Sequence, residues 1–171
     1  MACPECGNDW IVIRVLHIDD EAPIRLLARI NLEWEDEAME VLEAGDGRTG
    51  VSLAKSEQPD LILLNVNLPE LDGWQVAEEL QQDQETCEIP IVFLTARARP
   101  EEIARGFHLG AVDYVTKPFD PVELAPRIRG LLERLERGER DDMQRENASE
   151  VRALMQTNTA GPPTYADEPA V

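Results

Sequence analysis

The stretch Pro59-Asp60-Leu61-Ile62-Leu63-Leu64-Asn65-Val66-Asn67-Leu68-Pro69 settles the architecture. Its aliphatic run leaves no face for water, so Leu61 to Asn65 reads as a strand buried on both sides, as in a parallel sheet. Pro59-Asp60 and Leu68-Pro69 punctuate it. Three other runs likewise end on a polar group: Ile11 to Ile18 in Asp19-Asp20, Ile91 to Leu94 in Thr95, and Tyr114 to Thr116 in Lys117-Pro118. An open α/β sheet collects its site at the carboxyl ends of its strands, so these groups are expected to meet. Two carboxylates, a hydroxyl and an ammonium suit metal-assisted phosphoryl chemistry. The residue placed as its nucleophile, Asn65, is an amide.

On both sides of this stretch, helices alternate with the strands. The first is expected at about Ala22 to Glu35, with Pro23 tolerated in its first turn, followed by a strand at about Met39 to Ala44. Further helices fall within Arg48 to Glu57, at about Trp74 to Gln82 and at about Glu101 to Leu109. A fifth begins at Pro121, with Leu124, Ile128, Leu131, Leu132 and Leu135 at helical spacing. Such alternation implies right-handed crossovers and helices on both faces of the sheet. Residues 1–10 read as an N-terminal tail and 11–136 as the folded domain. Residues 137–171 read as an acidic extension, partly helical or disordered. Asn147 to Gln156 could form a short helix and Thr157 to Val171 reads as disordered. With Val151, Leu154 and Met155 as its clear apolar cluster, the extension is expected to be dispensable for the fold.

More motifs join the opening stretch in order: Asp19-Asp20-Glu21, Leu71-Asp72-Gly73, Leu94-Thr95-Ala96, and Gly110-Ala111-Val112-Asp113-Tyr114-Val115-Thr116-Lys117-Pro118-Phe119. With them the chain resembles, from about Ile11 to Glu136, a response-regulator receiver domain, the phosphoacceptor half of a two-component system. The resemblance implies a flavodoxin-like, doubly wound five-stranded parallel sheet of order 2-1-3-4-5. It also implies a magnesium ion held by Asp19, Asp20, residue 65 and the backbone carbonyl of Asn67. Thr95 and Lys117 would meet phosphoryl oxygens, Lys117–Pro118 would be cis, and Thr95 with Tyr114 would form a switch. The implied partner is a sensor histidine kinase or a phosphotransfer protein, and the chain itself is not an enzyme.

Asn65 departs from that family, which carries an aspartate there. An amide oxygen is a poor nucleophile. The change removes one negative charge from the metal pocket, which weakens magnesium binding and takes from Lys117 its closest anionic partner. Asn65 reads either as a substitution locking a normal receiver unphosphorylated or as the residue of a pseudo-receiver that works by binding alone.

Charge bounds the function classes. The 171 residues carry 35 acidic and 16 basic side chains, a net −19, which argues against direct nucleic-acid binding. Lys55 and Lys117 are the two lysines, so a lysine at the site stands out. No run approaches a membrane span, no secretory leader is expected, and the implied location is the cytoplasm. Output is expected through protein contact by helix four, strand five and helix five. Asp113, Arg127 and Arg129 are candidates for pairs across a homodimer, or plain surface charge. Cys3 and Cys6 have half a zinc site's spacing, but Cys87, His17 and His108 are scattered, so a reduced tail is the expectation. A haloacid-dehalogenase-type phosphatase would need Asp-x-Asp after strand one, whereas Asp19 and Asp20 are adjacent.

Overall fold

A computed structural model of the chain describes residues 12–35, 38–96 and 99–158. Strands β1 (Ile13–Ile18), β2 (Met39–Ala44), β3 (Leu61–Asn65), β4 (Ile91–Thr95) and β5 (Ala111–Thr116) alternate with helices α1 (Ala22–Glu35), α2 (Gly47–Glu57), α3 (Gly73–Gln82), α4 (Pro100–His108) and α5 (Pro121–Glu136). A sixth helix, α6 (Arg140–Asn158), follows. The strands form one parallel sheet of order β2-β1-β3-β4-β5, the order the resemblance implies.

Every residue of β3 is buried because successive side chains enter different cores. Ile62 and Leu64 join Leu16 and Ile18 against Val51 of α2 and Trp74 and Leu80 of α3. Leu61 and Leu63 join Val15 against Ala28 and Leu32 of α1 and Leu124 and Ile128 of α5. Each buried aliphatic side chain contributes about 1.5–3 kcal/mol. The sheet is thereby fixed in register, and with it the row of strand ends.

Two local devices set that row. Asp72 caps α3 by accepting from Gln75 N at 2.8 Å, while Gln75 accepts from Asp72 N at 3.1 Å. Gly73 N donates to the Val66 carbonyl at 2.9 Å, and a Cβ on Gly73 would overlap the Asn65 carbonyl. Glycine there lets α3 start directly against the end of β3. On the other flank β5 begins at Ala111, earlier than the expected Tyr114. Gly110, at φ +82°, takes the left-handed turn after α4 and returns the chain to extended backbone at once. The β4–β5 register then slips: Ala111 pairs with Ile91 and Asp113 with Val92, leaving Val112 out of step.

The short helix expected at 147–156 is part of a longer one that docks on the domain. Helix α6 starts at Arg140 and packs on the domain, burying Met143 and Val151. Met143, Asn147 and Val151, four apart, lie on one helix face. Met143 enters the core that holds Val112, and Asn147 Nδ2 donates to the Val112 carbonyl at 3.0 Å. Arg140 reaches the Glu88 carbonyl at 2.9 Å, and Arg134 of α5 pairs with Glu139 at 3.0 Å and Glu146 at 2.9 Å. Asp141 and Asp142 suit the positive end of the helix. The sequence hides this helix because charged residues surround its anchors. Thr157 and Asn158, expected as disordered, end it. The N-terminal tail with Cys3 and Cys6, strand residue Ile11, and the remainder of the expected disorder, 159–171, lie outside the described residues. Among the described residues no helix is long and apolar enough to cross a membrane.

Candidate functional site

The sheet brings the predicted polar groups to one edge. Asp19 and Asp20 follow β1, Asn65 ends β3, Thr95 ends β4, and Lys117 follows β5. Backbone bonds continue past the strands: Asp19 N donates to the Ala44 carbonyl at 3.1 Å, Val66 N to Leu94 at 3.2 Å, and Lys117 N to Thr95 at 2.7 Å. The Lys117–Pro118 bond is cis.

Asp19 is fully buried. Its carboxylate accepts from Lys117 Nζ at 2.5 Å and from Glu21 N at 2.9 Å, and His17 Nε2 stands 3.7 Å away. Burial pushes its pKa up, but the His17 imidazole, the Lys117 ammonium and the Glu21 N–H outweigh this, holding the carboxyl below its ordinary range. Arg25 of α1 donates to the Asp19 carbonyl at 2.5 Å, fixing the backbone behind the acid.

Asn65 Nδ2 stands among the oxygens expected to hold a cation. It donates to Asp20 Oδ1 at 3.0 Å and to the Asn67 carbonyl at 2.8 Å, and lies 3.4 Å from Asp19 Oδ1. Asn65 Oδ1 accepts from Asn67 N at 3.3 Å. Asp20 is exposed, whereas Asn65 and Thr95 are buried. Two carboxylates and a carbonyl form a hard-oxygen set of the kind magnesium takes together with water. The donor set fits the ion, but the Asn65 amide hydrogens compete for it.

Lys117, expected to lose its closest anionic partner to the amide at position 65, has two other carboxylates within reach. It pairs with Asp19 and, at 3.2 Å, with Glu21. Glu21 was missed as a site residue, although its place in the run Asp19-Asp20-Glu21 was the available signal. Also missed were Arg99 and Glu102, which with Asn67, Thr95 and Ala96 line a cleft of about 320 Å³ beside the strand ends. A basic side chain so soon after Thr95 was their only mark in the sequence.

Tyr114 faces inward. Its hydroxyl is buried with no hydrogen-bond partner among the described residues, and its ring lies 5.6 Å from that of Phe93. Burial, then the charge of Glu102, push the phenol well above its ordinary pKa. Phe93 in turn meets Trp74 at 4.7 Å, and Arg105 of α4 lies 5.0 Å from the Trp74 ring. Asp113 and Arg127, candidates for pairs across a dimer, form a bidentate pair within the chain, at 2.5 and 2.8 Å.

Sheet order and strand-end site define a flavodoxin-like α/β protein. The family model described as "Response regulator receiver domain" matches residues 15–129, and the chain belongs to that family of two-component signalling proteins. It is 44% identical over 124 residues to the DNA-binding dual master transcriptional regulator RpaA of Synechocystis, covering 72% of this chain and 51% of that protein. It is 41% identical over 122 residues to the phosphate regulon transcriptional regulatory protein PhoB of Escherichia coli, covering 71% and 52%. The chain thus spans about half the length of these curated relatives. Among solved structures, Vibrio cholerae chemotaxis protein CheY4 superposes with a TM-score of 0.65 at 29% identity, covering 70% of this chain and 98% of that one. A response regulator from Desulfuromonas acetoxidans gives 0.64 at 26%, covering 71% and 97%. Helix α6 lies beyond the matched residues.

Proposed function

We propose that this chain is a response regulator that signals by protein contact and that, with Asn65 at the phosphoacceptor position, takes up no phosphoryl group. One observation carries the reading: the side chain ending β3 is an amide whose NH₂ is hydrogen-bonded to Asp20 and the Asn67 carbonyl. A carboxylate there would face the same cleft as a nucleophile. Asp19, Asp20 and the Asn67 carbonyl would hold magnesium, more weakly than beside a carboxylate. When bound, the ion supplies positive charge against phosphoryl oxygens. Thr95 and Lys117 are placed to donate to those oxygens, and Tyr114 packs between the site and α4. The donor would be a sensor histidine kinase or phosphotransfer protein, the output surface α4, β5 and α5, and the cell compartment the cytoplasm. A homodimer through that surface would be a further contact of the same kind, with Asp113 exchanging its Arg127 partner. The net −19 points away from direct contact with nucleic acid.

Incubation with acetyl phosphate and magnesium, followed by intact mass measurement, should give no phosphoryl adduct. Asn65→Asp should then give one, dependent on magnesium. An adduct on the chain as it stands overturns the reading. A second reading, a binding-only pseudo-receiver, is favoured by the pairing of Lys117 with both Asp19 and Glu21, which gives the lysine anionic partners without a phosphoryl group. An inert Asn65→Asp protein under excess donor would select it.

A further inference from the structure

We infer that α6 is a releasable cover over the α4–β5 face, so that protein contact there requires its displacement. Strand β5 is an edge strand, and the slip at Val112 leaves that residue without a partner in register on β4. Edge strands invite pairing with other chains unless something blocks them. Asn147 meets the Val112 carbonyl, and Met143 fills the apolar surface beside it. Farther along, Gln144, Ala148 and Val151 of α6 wall a cleft of about 590 Å³ whose other side is Ala104, Phe107 and His108 of α4. The face is therefore a groove that accepts a helix presenting an apolar residue, an amide four places on, and an apolar residue four beyond that. Its occupant here is the chain's own segment.

Three features make the cover releasable. Its described anchors are two buried side chains on a helix of 19 residues, most of whose other described positions are exposed. It hangs from α5 through Gly138, at φ +77°, a turn with open space around it. Its groove wall is also the helix that touches the switch residue: a Cβ on Gly106 of α4 would meet the rings of Phe93 and Tyr114 at 3.0 Å. A shift of Tyr114 thus moves α4, and α4 carries one wall of the groove. The inference rests on the proposed output surface only in treating displacement as a signal.

The test uses the full chain, unphosphorylated. In amide hydrogen exchange of the unaltered protein, α6 should exchange at least about tenfold faster than β1 and β3, as a locally opening unit does. Equal protection would make α6 an integral element and overturn the inference. A fluorescent peptide of residues 140–158 is then titrated by anisotropy against this protein and against Met143→Glu/Val151→Glu. The doubly substituted chain should bind it at least about tenfold more tightly, because a tethered occupant competes at high effective concentration. Asn147→Ala serves as a milder variant and should fall between the two. Equal affinities, or no binding to a variant whose sheet amides remain protected, would overturn the inference. None of these readouts involves residue 65, so their failure leaves the phosphoryl reading standing, and an adduct on the unaltered chain leaves the cover standing.

Discussion

At the carboxyl end of the sheet, Asp19 is completely buried and its charge is met at hydrogen-bond distance by Lys117; along β5, α6 rests on Met143 and Val151 and meets its charged partners at the surface. Both are contacts between distant parts of the sequence. In the pocket the alternative to each contact is a bare charge in a dry interior, which is expensive. Under α6 the alternative is a solvated helix or coil, which costs little. The pocket is thus committed to one arrangement, whereas the helix has an undocked alternative at modest cost.

Removing the pocket's ammonium should do the most damage. Lys117→Ala leaves the buried Asp19 carboxylate without its ammonium partner and should cost about 3 kcal/mol of global stability in urea unfolding. A loss under about 1 kcal/mol would mean that water or Arg25 replaces the ammonium at no great cost.

Acid is the next lever. Asp19 has a folded pKa below its unfolded value of about 3.9, so its stabilising contribution is fully present above that value. It is lost as pH falls through the depressed folded value. Thermal midpoints should therefore hold down to about pH 4 and fall below it. In Lys117→Ala, burial is less opposed and the fall should begin at higher pH. A decline that starts at the same pH in both proteins would show that Lys117 does not set this titration.

Met143→Ala probes the less committed region. Deleting so buried a side chain from a core ordinarily costs about 2–5 kcal/mol. Here undocking limits the cost, and the expected global loss is about 1 kcal/mol, with α6 amides losing protection and β3 amides keeping theirs. A loss as large as that of Leu64→Ala would make α6 part of the core. Least consequential is Glu146→Ala, which removes a surface partner of Arg134 and should change stability by less than about 0.5 kcal/mol in the same urea titration.

The pocket was legible because its residues come together in order: alone, an acidic pair fits a helix cap, Thr95 a turn and Lys117 a surface charge, but four aliphatic strands that each end on such a group mark a site. The sheet order came from resemblance and agrees with the fold. What escaped was information carried by geometry. Glu21 reads as one more acid after a strand until Lys117 is seen to reach it. The start of β5 hid in Ala111-Val112, short apolar residues after a glycine that fit a loop as well as a strand. Helix α6 hid because its anchors, Met143 and Val151, are separated by mostly polar residues, and the partner of Asn147 is a carbonyl of the edge strand β5, a pairing that no periodicity encodes.

The tilted contact of Trp74 with Phe93, with Arg105 of α4 over the indole, gives the protein an optical gauge of its own. Trp74 is 7% exposed and Trp34 is 82% exposed. Iodide should quench Trp34 and spare Trp74, so the light that survives quencher includes that of an indole in contact with α4. A cation withdrawn from that ring alters its emission colour and lifetime. Motion of α4 can then be followed in the unlabelled chain, in real time and at micromolar concentration.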